Sequence, residues 1–315
     1  MRIISNDIDY MPRAQRVGLT SSLGTLGSRM TFSCPTDPTD TAPPDLKLGD
    51  AVQLWDADAP SLTVFRGIIT ARKFTETARE FTAYDDCYYL NKSQICLQFP
   101  EQRTDRAIAQ LWDYLGIRRI NLPRMQGVIA SVVYVKTPAE ILRSLLEFEQ
   151  DVSGVEYYAV HAGYGIIDIQ PVGQYRTGIT LQKLSAPVLS DSLDEVRNRI
   201  YYAIKDDSGI SVSAEAADEA SIARYGQIAE YIIDGAEPTY TSTIAEQRLA
   251  RKRVPLQNGE ITLPGDWRAE IGKIIAVEDA VTGLSGDYVI DAVSHDIYDG
   301  MHLMTLGLSQ RGGAA

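Results

Sequence analysis

The residue types that hold metals or move protons are sparse in this chain. Only three histidines occur, His161, His295 and His302. His295 and His302 flank the dipeptide Asp299-Gly300, a strong two-residue hairpin turn. A hairpin closed there sets the two imidazoles on neighbouring strands, and with Asp296 they would offer nitrogen and oxygen ligands to a metal. Successive strand residues face opposite sides, however, so His295 and Asp296 diverge. The expectation is a pair of hydrogen-bonded structural histidines and no metal. Paired carboxylates are more frequent: Asp85-Asp86, Asp206-Asp207, and Glu147 with Glu149 on a helix. A glycosidase needs two carboxylates set across a cleft, whereas adjacent aspartates in turns cap or stay solvated. Nucleophile and phosphate-binding signatures such as Gly-x-Ser-x-Gly, Gly-x-Gly-x-x-Gly and the Walker loop do not occur. Gly163-Tyr-Gly165 is a fragment of a dinucleotide motif between two strands and reads as a hairpin turn. The expectation is therefore no catalytic, cofactor-binding or metal residues, and no cofactor.

Three further features could carry recognition. Tyr84-Asp-Asp-Cys-Tyr-Tyr-Leu90 is an aromatic cluster at a strand end, suited to stacking bases or sugars or to packing under a junction. Arg248 to Arg253 is the one cationic run, at the end of a helix where cations suit the dipole; it reads as a solvated helix end or as a contact to an acidic neighbour. Cys34, Cys87 and Cys96 have no paired spacing and read as small buried reduced residues.

The elements that must position these residues are mostly strands. Val52, Leu54, Leu62, Val64, Ile68 and Phe81 alternate through residues 51–84, with connections at Asp58-Ala-Pro60 and Thr75-Glu-Thr77. Thr36 to Pro44 reads as an exposed loop. Thr104 to Leu115 has Ala107, Ile108, Leu111, Trp112 and Leu115 on one helical face and a glycine stop at Gly116. Thr137-Pro-Ala-Glu140 is a capping box leading a second helix closed by Gly154. Val155 to Val160 and Gly165 to Ile169 read as a strand pair. Asp218 to Tyr225 reads as a short helix, Thr243-x-x-Glu246 as a second capping box, and residues 259–308 as strands again. The reading is α+β, mainly β, in three parts: 1–98, an inserted small α+β part at 99–172, and 173–315.

Composition bounds the partners. The 315 residues carry 44% hydrophobic and 23% charged residues, an ordinary globular balance. Lys+Arg 30 against Asp+Glu 42 gives a net charge of −12. That argues against specific nucleic-acid binding, which needs a basic face, and against an anionic membrane surface. The longest nearly apolar run, Val128 to Val135, is far below the ~20 residues of a membrane helix. The N-terminus lacks the apolar stretch of a secretory signal.

An internal repeat links the two β-rich parts. Leu48-Gly-Asp-Ala-Val-Gln-Leu54 aligns with Ile271-Gly-Lys-Ile-Ile-Ala-Val277, and Gly67-Ile-Ile69 aligns with Gly286-Asp-Tyr-Val-Ile290 with one gap.

Asp218-Glu-Ala-Ser-Ile-Ala-Arg-Tyr-Gly226, a capped helix, Pro264-Gly-Asp266, Gly283-Leu-Ser-Gly286-Asp-Tyr-Val-Ile290 and His295 to Met304, in that order, resemble the baseplate hub proteins of contractile phage tails and tailocins. These are the late-control D type, related to the T4 hub and to the hub part of type VI secretion spike proteins. Residues 194–310 carry the match, with a looser one around Tyr84 to Ser93. The resemblance implies two tail-tube-like β-barrel domains flanking the inserted domain, and a homotrimer adapting a six-fold tail tube to a three-fold central spike. It also implies a tail-tube protein, a central spike protein, other baseplate proteins and a tape-measure protein as neighbours. The particle would be a virion or tailocin assembled in the bacterial cytoplasm, and the protein no enzyme. Its edges and apolar patches would be ones that only a ring covers. The bore of such a ring is expected to be net acidic. Two other readings are a tail-tip cell-wall hydrolase, which needs a carboxylate pair in a cleft, and a carbohydrate-binding β module, which needs an exposed aromatic platform.

Overall fold

The structure is a computed structural model; it describes all residues except 37–43, 57–58, 60–61, 162, 164, 182–184, 207–208, 235–238 and 311–315. It is mainly β, as the alternating pattern requires. In chain order it opens with β1 (Arg2–Ser5), β2 (Ile8–Asp9), β3 (Arg16–Ser22), β4 (Thr25–Pro35), β5 (Ala51–Trp55), β6 (Thr63–Phe74) and β7 (Ala78–Tyr84). The middle holds α1 (Tyr88–Lys92), β8 (Ile95–Phe99), β9 (Gln102–Arg103), α2 (Thr104–Leu115), β10 (Val128–Ile129), β11 (Val132–Lys136), α3 (Pro138–Ser153), β12 (Tyr157–His161) and β13 (Ile167–Pro171). There follow β14 (Arg176–Thr180), β15 (Ser185–Ser192), β16 (Arg199–Asp206), β17 (Gly209–Ala217), α4 (Glu219–Tyr225), β18 (Ala229–Asp234) and α5 (Thr241–Lys252). The chain closes with β19 (Leu256–Pro264), β20 (Ile274–Glu278), β21 (Ser285–Tyr298) and β22 (Met301–Ser309).

One sheet of 13 strands holds both β-rich parts. Its first six strands run β3-β4-β7-β6-β5-β1 and its last six run β15-β19-β22-β21-β20-β14, the same order in both. The repeat is thus structural down to single bonds. Gly49 and Gly272 both have positive φ, 89° and 77°. Gly49 N donates to Ile69 O and Gly272 N to Ile290 O, each at 2.8 Å, while Ile69 N donates to Asp50 O and Ile290 N to Lys273 O. Each long strand then carries a bulge one residue on, at Thr70 in β6 and Asp291 in β21. A bulge bends its strand and strengthens the twist, so both halves bend at the same place.

Each half buries one face of its strands. Ile3, Val17, Met30, Phe32, Val52, Leu54, Ile69 and Phe81 form one core, and Ile261, Ile275, Tyr288, Ile290, Val293, Leu306 and Leu308 another. A third core, from Cys87 to Ile169, centres on Trp112, Leu111, Ile141 and Leu145. Its two helices form for the reasons the sequence gives. α2 ends on Gly116 at φ 68°, and in α3 the Thr137 hydroxyl accepts from Glu140 N while the Glu140 carboxylate accepts from Thr137 N. The three-stranded sheet β17-β16-β18 lies against α5, with Tyr202, Ile204 and Ile232 packed on Val152 and Ile244.

Several readings need correction. The second capping box does not form: α5 starts at Thr241 after Tyr240, with no side-chain cap. Tyr240 packs edge-on against Phe148, which fixes the entry of the helix three residues early and leaves Thr243 inside the first turn. Cys34 and Cys87 are buried as expected, but Cys96 is exposed on β8. The Thr36 to Pro44 loop, most of the Asp58 to Pro60 turn and part of the Asp206-Asp207 pair lie outside the described residues. The strands at residues 2–35 and the sheet at 199–234 were not read from the sequence.

Candidate assembly interface

The two halves meet strand to strand. Beyond its bulge, β21 leaves β20 and pairs antiparallel with β3, Ala292 opposite Ser22 through Tyr298 opposite Arg16. Seven residue pairs make this a full ladder, so the backbone groups of both strands are satisfied across the junction. Arg16 reinforces it with a two-pronged pair to Asp296, and Ile297 joins the core of the first half. One face of the junction is polar. A cavity of about 770 Å³ runs along it, lined by Thr20, Ser22, Arg29, Thr70, Tyr84, Tyr88, Lys92, Glu260, Ser294 and Thr305. Serines, threonines and tyrosines make up half of its lining residues, and its charged lining is two cations and one carboxylate.

The other face holds the histidines. His295 and His302 do meet, Nδ1 to Nε2 at 3.0 Å. The Trp267 ring packs at a tilt against both, with ring centroids 4.2 and 4.5 Å away. His295 is 4% exposed, and burial, then the neighbouring His302, push its pKa down to about 3. Burial also lowers that of His302. The pair is therefore neutral at pH 7, one ring nitrogen donating to the other. Asp296 points to the opposite, exposed side, toward Arg16. Among the described residues no group of three His, Cys, Asp or Glu is placed to hold a metal.

Three of the paired carboxylates, Asp85, Asp86 and Glu149, are held by backbone amides. Asp85 is buried and accepts from Ser28 N and Cys87 N, while Asp86 accepts from Gly165 N and contacts His161 at 3.1 Å. His161 and Cys87 beside these aspartates resemble a nucleophile arrangement, but burial and then the Asp85 charge push the Cys87 thiol up, the opposite of what a thiolate nucleophile needs. Glu149 is buried and accepts from Gln126 N and Gly127 N, while Glu147 is exposed. They serve different faces of α3 and cannot act together. Tyr84 and Tyr88 line the junction cavity. The cluster therefore packs at the meeting of the first and middle parts, though Tyr89 remains 57% exposed.

The cationic run is not a free patch. Arg248 and Arg251 both pair with Asp151 at the end of α3, Arg248 and Lys252 with Glu230 of β18, and Arg253 with Asp218. The reading of this run as a contact to a neighbouring subunit is corrected: it ties α5 to α3 and to the three-stranded sheet within the chain. Asp151, a buried carboxylate on another element, is the partner that sequence reasoning missed.

A family profile described as YQBQ-like matches residues 19–309. A protein of Bacillus subtilis (strain 168), phage-like element PBSX protein XkdQ, is 24% identical over 258 residues, which are 79% of this chain and 78% of that one. The 43 kDa tail protein of prophage MuSo2 from Shewanella oneidensis superposes with a TM-score of 0.74 at 17% identity, covering 98% of this chain and 97% of that one. The E. coli c3393 protein is a type VI secretion component described as structurally similar to T4 bacteriophage tail proteins gp27 and gp5. It superposes with a TM-score of 0.63 at 14% identity, covering 100% and 78%. These likenesses establish a shared fold.

Proposed function

The chain belongs to the YQBQ-like family, and from that premise we propose that it is a structural protein of a phage-type tail, the baseplate hub. Its role is to form a trimeric ring that adapts the six-fold tail tube to the three-fold central spike and continues the lumen. The observation that carries this reading is the duplicated strand order within one continuous sheet. Two like modules per chain in three chains make six, and such a duplication lets three copies meet a six-fold partner. The tail-protein names of the structural neighbours and the phage-like element name of the sequence relative support the setting. In this reading residues 1–98 and 173–315 hold the tube-like β-barrel domains and 99–172 the inserted domain, whose core also takes in Cys87, Leu90 and Leu97. The protein resides in the baseplate of a virion or tailocin, next to tube, spike and other baseplate proteins.

The chain then has no enzymatic role. Supporting this, Asp85, Glu149 and Asp151, the buried acids of the candidate clusters, are committed to backbone amides and ion pairs. Electron cryomicroscopy of the assembled tail tests the placement: three copies between tube and spike are expected, with a net acidic bore. A tail whose tube meets the spike without this chain, or six copies of it, contradicts the hub. Purified protein that cleaves peptidoglycan would contradict the non-enzymatic role.

A further inference from the structure

Superposing the two modules by their hydrogen bonds maps Ile69 onto Ile290 and the Thr70 bulge onto the Asp291 bulge. It follows that Ala71, Arg72, Lys73 and Phe74 of β6 correspond to Ala292, Val293, Ser294 and His295 of β21. Those β21 residues pair with β3. Their counterparts in β6 pair with β7 on one side only, and among the described residues no strand lies on the other. Likewise β15 corresponds to β3. Thr20 faces Arg29 of β4, and Ser190 faces Asn258 of β19; Arg29 faces Tyr84 and Asn258 faces Ser309, at matching positions of β7 and β22. Among the described residues β15 is an open edge of the large sheet. Within them, both halves of the junction that the chain makes internally are thus left without a partner strand.

We propose that the free half of β6 in one copy pairs with β15 of the next copy, repeating the β21 to β3 ladder in register. This deepens, and rests on, the ring reading above. Transferring the internal register sets Ala71 opposite Ser192 of the neighbour, Arg72 opposite Asp191, Lys73 opposite Ser190 and Phe74 opposite Leu189. The chemistry of these pairs agrees. The Arg72 guanidinium, which within the chain donates to Leu46 O and lies 3.7 Å from Asp45, gains a second carboxylate, and an aromatic ring faces an aliphatic side chain, both favourable cross-strand pairs. Phe74 is 49% exposed in the isolated chain, and Arg72 and Asp191 are exposed too. Unpaired strand edges of this kind invite pairing unless they are blunted. The occupant is a second copy because β3, the strand that covers the equivalent edge, has its structural counterpart in β15 of the same chain. A heterologous contact of this type closes a ring or runs on as a filament.

Cysteine cross-linking of the full-length protein tests the register, in a Cys96→Ser background with Cys34 and Cys87 left buried. The variants are Lys73→Cys with Ser190→Cys, and Arg72→Cys with Asp191→Cys. Adjacent antiparallel pairs alternate between wide and close spacing, so one of the two suits a disulfide. Ser294→Cys with Thr20→Cys makes the same bond within a chain and reports correct folding. Ala71→Cys with Val188→Cys is displaced by four residues, about 13 Å along the strand, and is the negative control. Mild oxidation should link chains through at least one in-register pair at a yield tenfold above the displaced pair. No linkage from either in-register pair, or equal linkage from the displaced one, overturns the proposal. Native mass spectrometry separates it from the ring reading. A trimer that does not cross-link overturns the strand pairing alone. Cross-linked chains that close at a number other than three uphold the pairing and overturn the trimer. Monomers without linkage overturn both.

Discussion

The two halves of the large sheet share strand order, glycine turn and bulge, and differ in what surrounds them. In the second half His295 is 4% exposed, roofed by Trp267 and paired across β21 and β3. Its counterpart Phe74 is 49% exposed at an edge with no neighbour strand among the described residues. The outermost strands differ too: β1 runs antiparallel to β5, whereas β14 runs parallel to β20. Where the modules agree, the backbone demands it; where they diverge, the contact partner does. The same strand is a core element in one half and an interface in waiting in the other.

The sharpest way to break this comparison is through the paired glycines. Both adopt left-handed φ, but a Cβ on Gly49 meets nothing within 4 Å, whereas one on Gly272 falls 2.3 Å from the Tyr158 ring. Gly272→Ala should cost about 2–5 kcal/mol, from backbone strain plus overpacking. Gly49→Ala should cost about 1–2 kcal/mol, from strain alone. Chemical denaturation of the two variants measures the gap; equal losses would show that Tyr158 yields freely.

A smaller effect is expected where the second half meets the inserted helices. Asp151→Asn removes the carboxylate shared by Arg248 and Arg251 and should cost about 2 kcal/mol. That is less than a fully buried pair because both guanidiniums are partly solvated. Arg248→Ala with Asp151→Asn should cost less than the sum of the singles, by a double-mutant cycle.

The histidine pair distinguishes the halves by pH. In the unfolded chain each histidine titrates near 6.5, and in the fold both sit lower, His295 near 3. The unfolded state therefore binds protons first as pH falls. Stability is full above about pH 6.5 and declines between there and about pH 3. Burial of His295 alone should lower it by about 1–2 kcal/mol from pH 6.5 to 5. Denaturation at those two pH values should show this slope, and His295→Asn should flatten it; Phe74→Ser should leave the slope untouched.

Smallest of all is Arg16→Ala. The pair with Asp296 lies in solvent beside a complete backbone ladder, so melting should be unchanged within error, and a clear loss would mean that side chains rather than backbone hold the junction.

How much of this was legible follows the strength of local signals. Gly49 and Gly272 could be aligned from their neighbours because each turn needs a positive φ and is followed by alternating apolar residues. α2 and α3 were legible from a broad apolar face and glycine stops. β3 and β4 were not, since Gly18, Thr20, Ser21, Ser22, Gly24, Gly27 and Ser28 dilute the alternation, and the second edge of β3 is satisfied only by β21, some 270 residues away in the chain. The three-stranded sheet hid for a different reason: Ile210, Val212, Tyr231 and Ile233 lie exposed on its outer face, so the apolar positions of its strands do not mark a buried side. Of the candidate residues, the histidine pairing was legible from the Asp299-Gly300 turn. The junction itself was not, because nothing local marks a strand that changes partner after a bulge.

The central claim is that one strand junction is used twice, within the chain and between chains. A map of the assembled ring by electron cryomicroscopy tests it most directly. Six modules are expected, in which β6 against β15 of the neighbour superposes on β21 against β3, with Lys73 opposite Ser190. A ring whose chains meet through any other surface, leaving β15 or residues 71–74 in solvent, would contradict it.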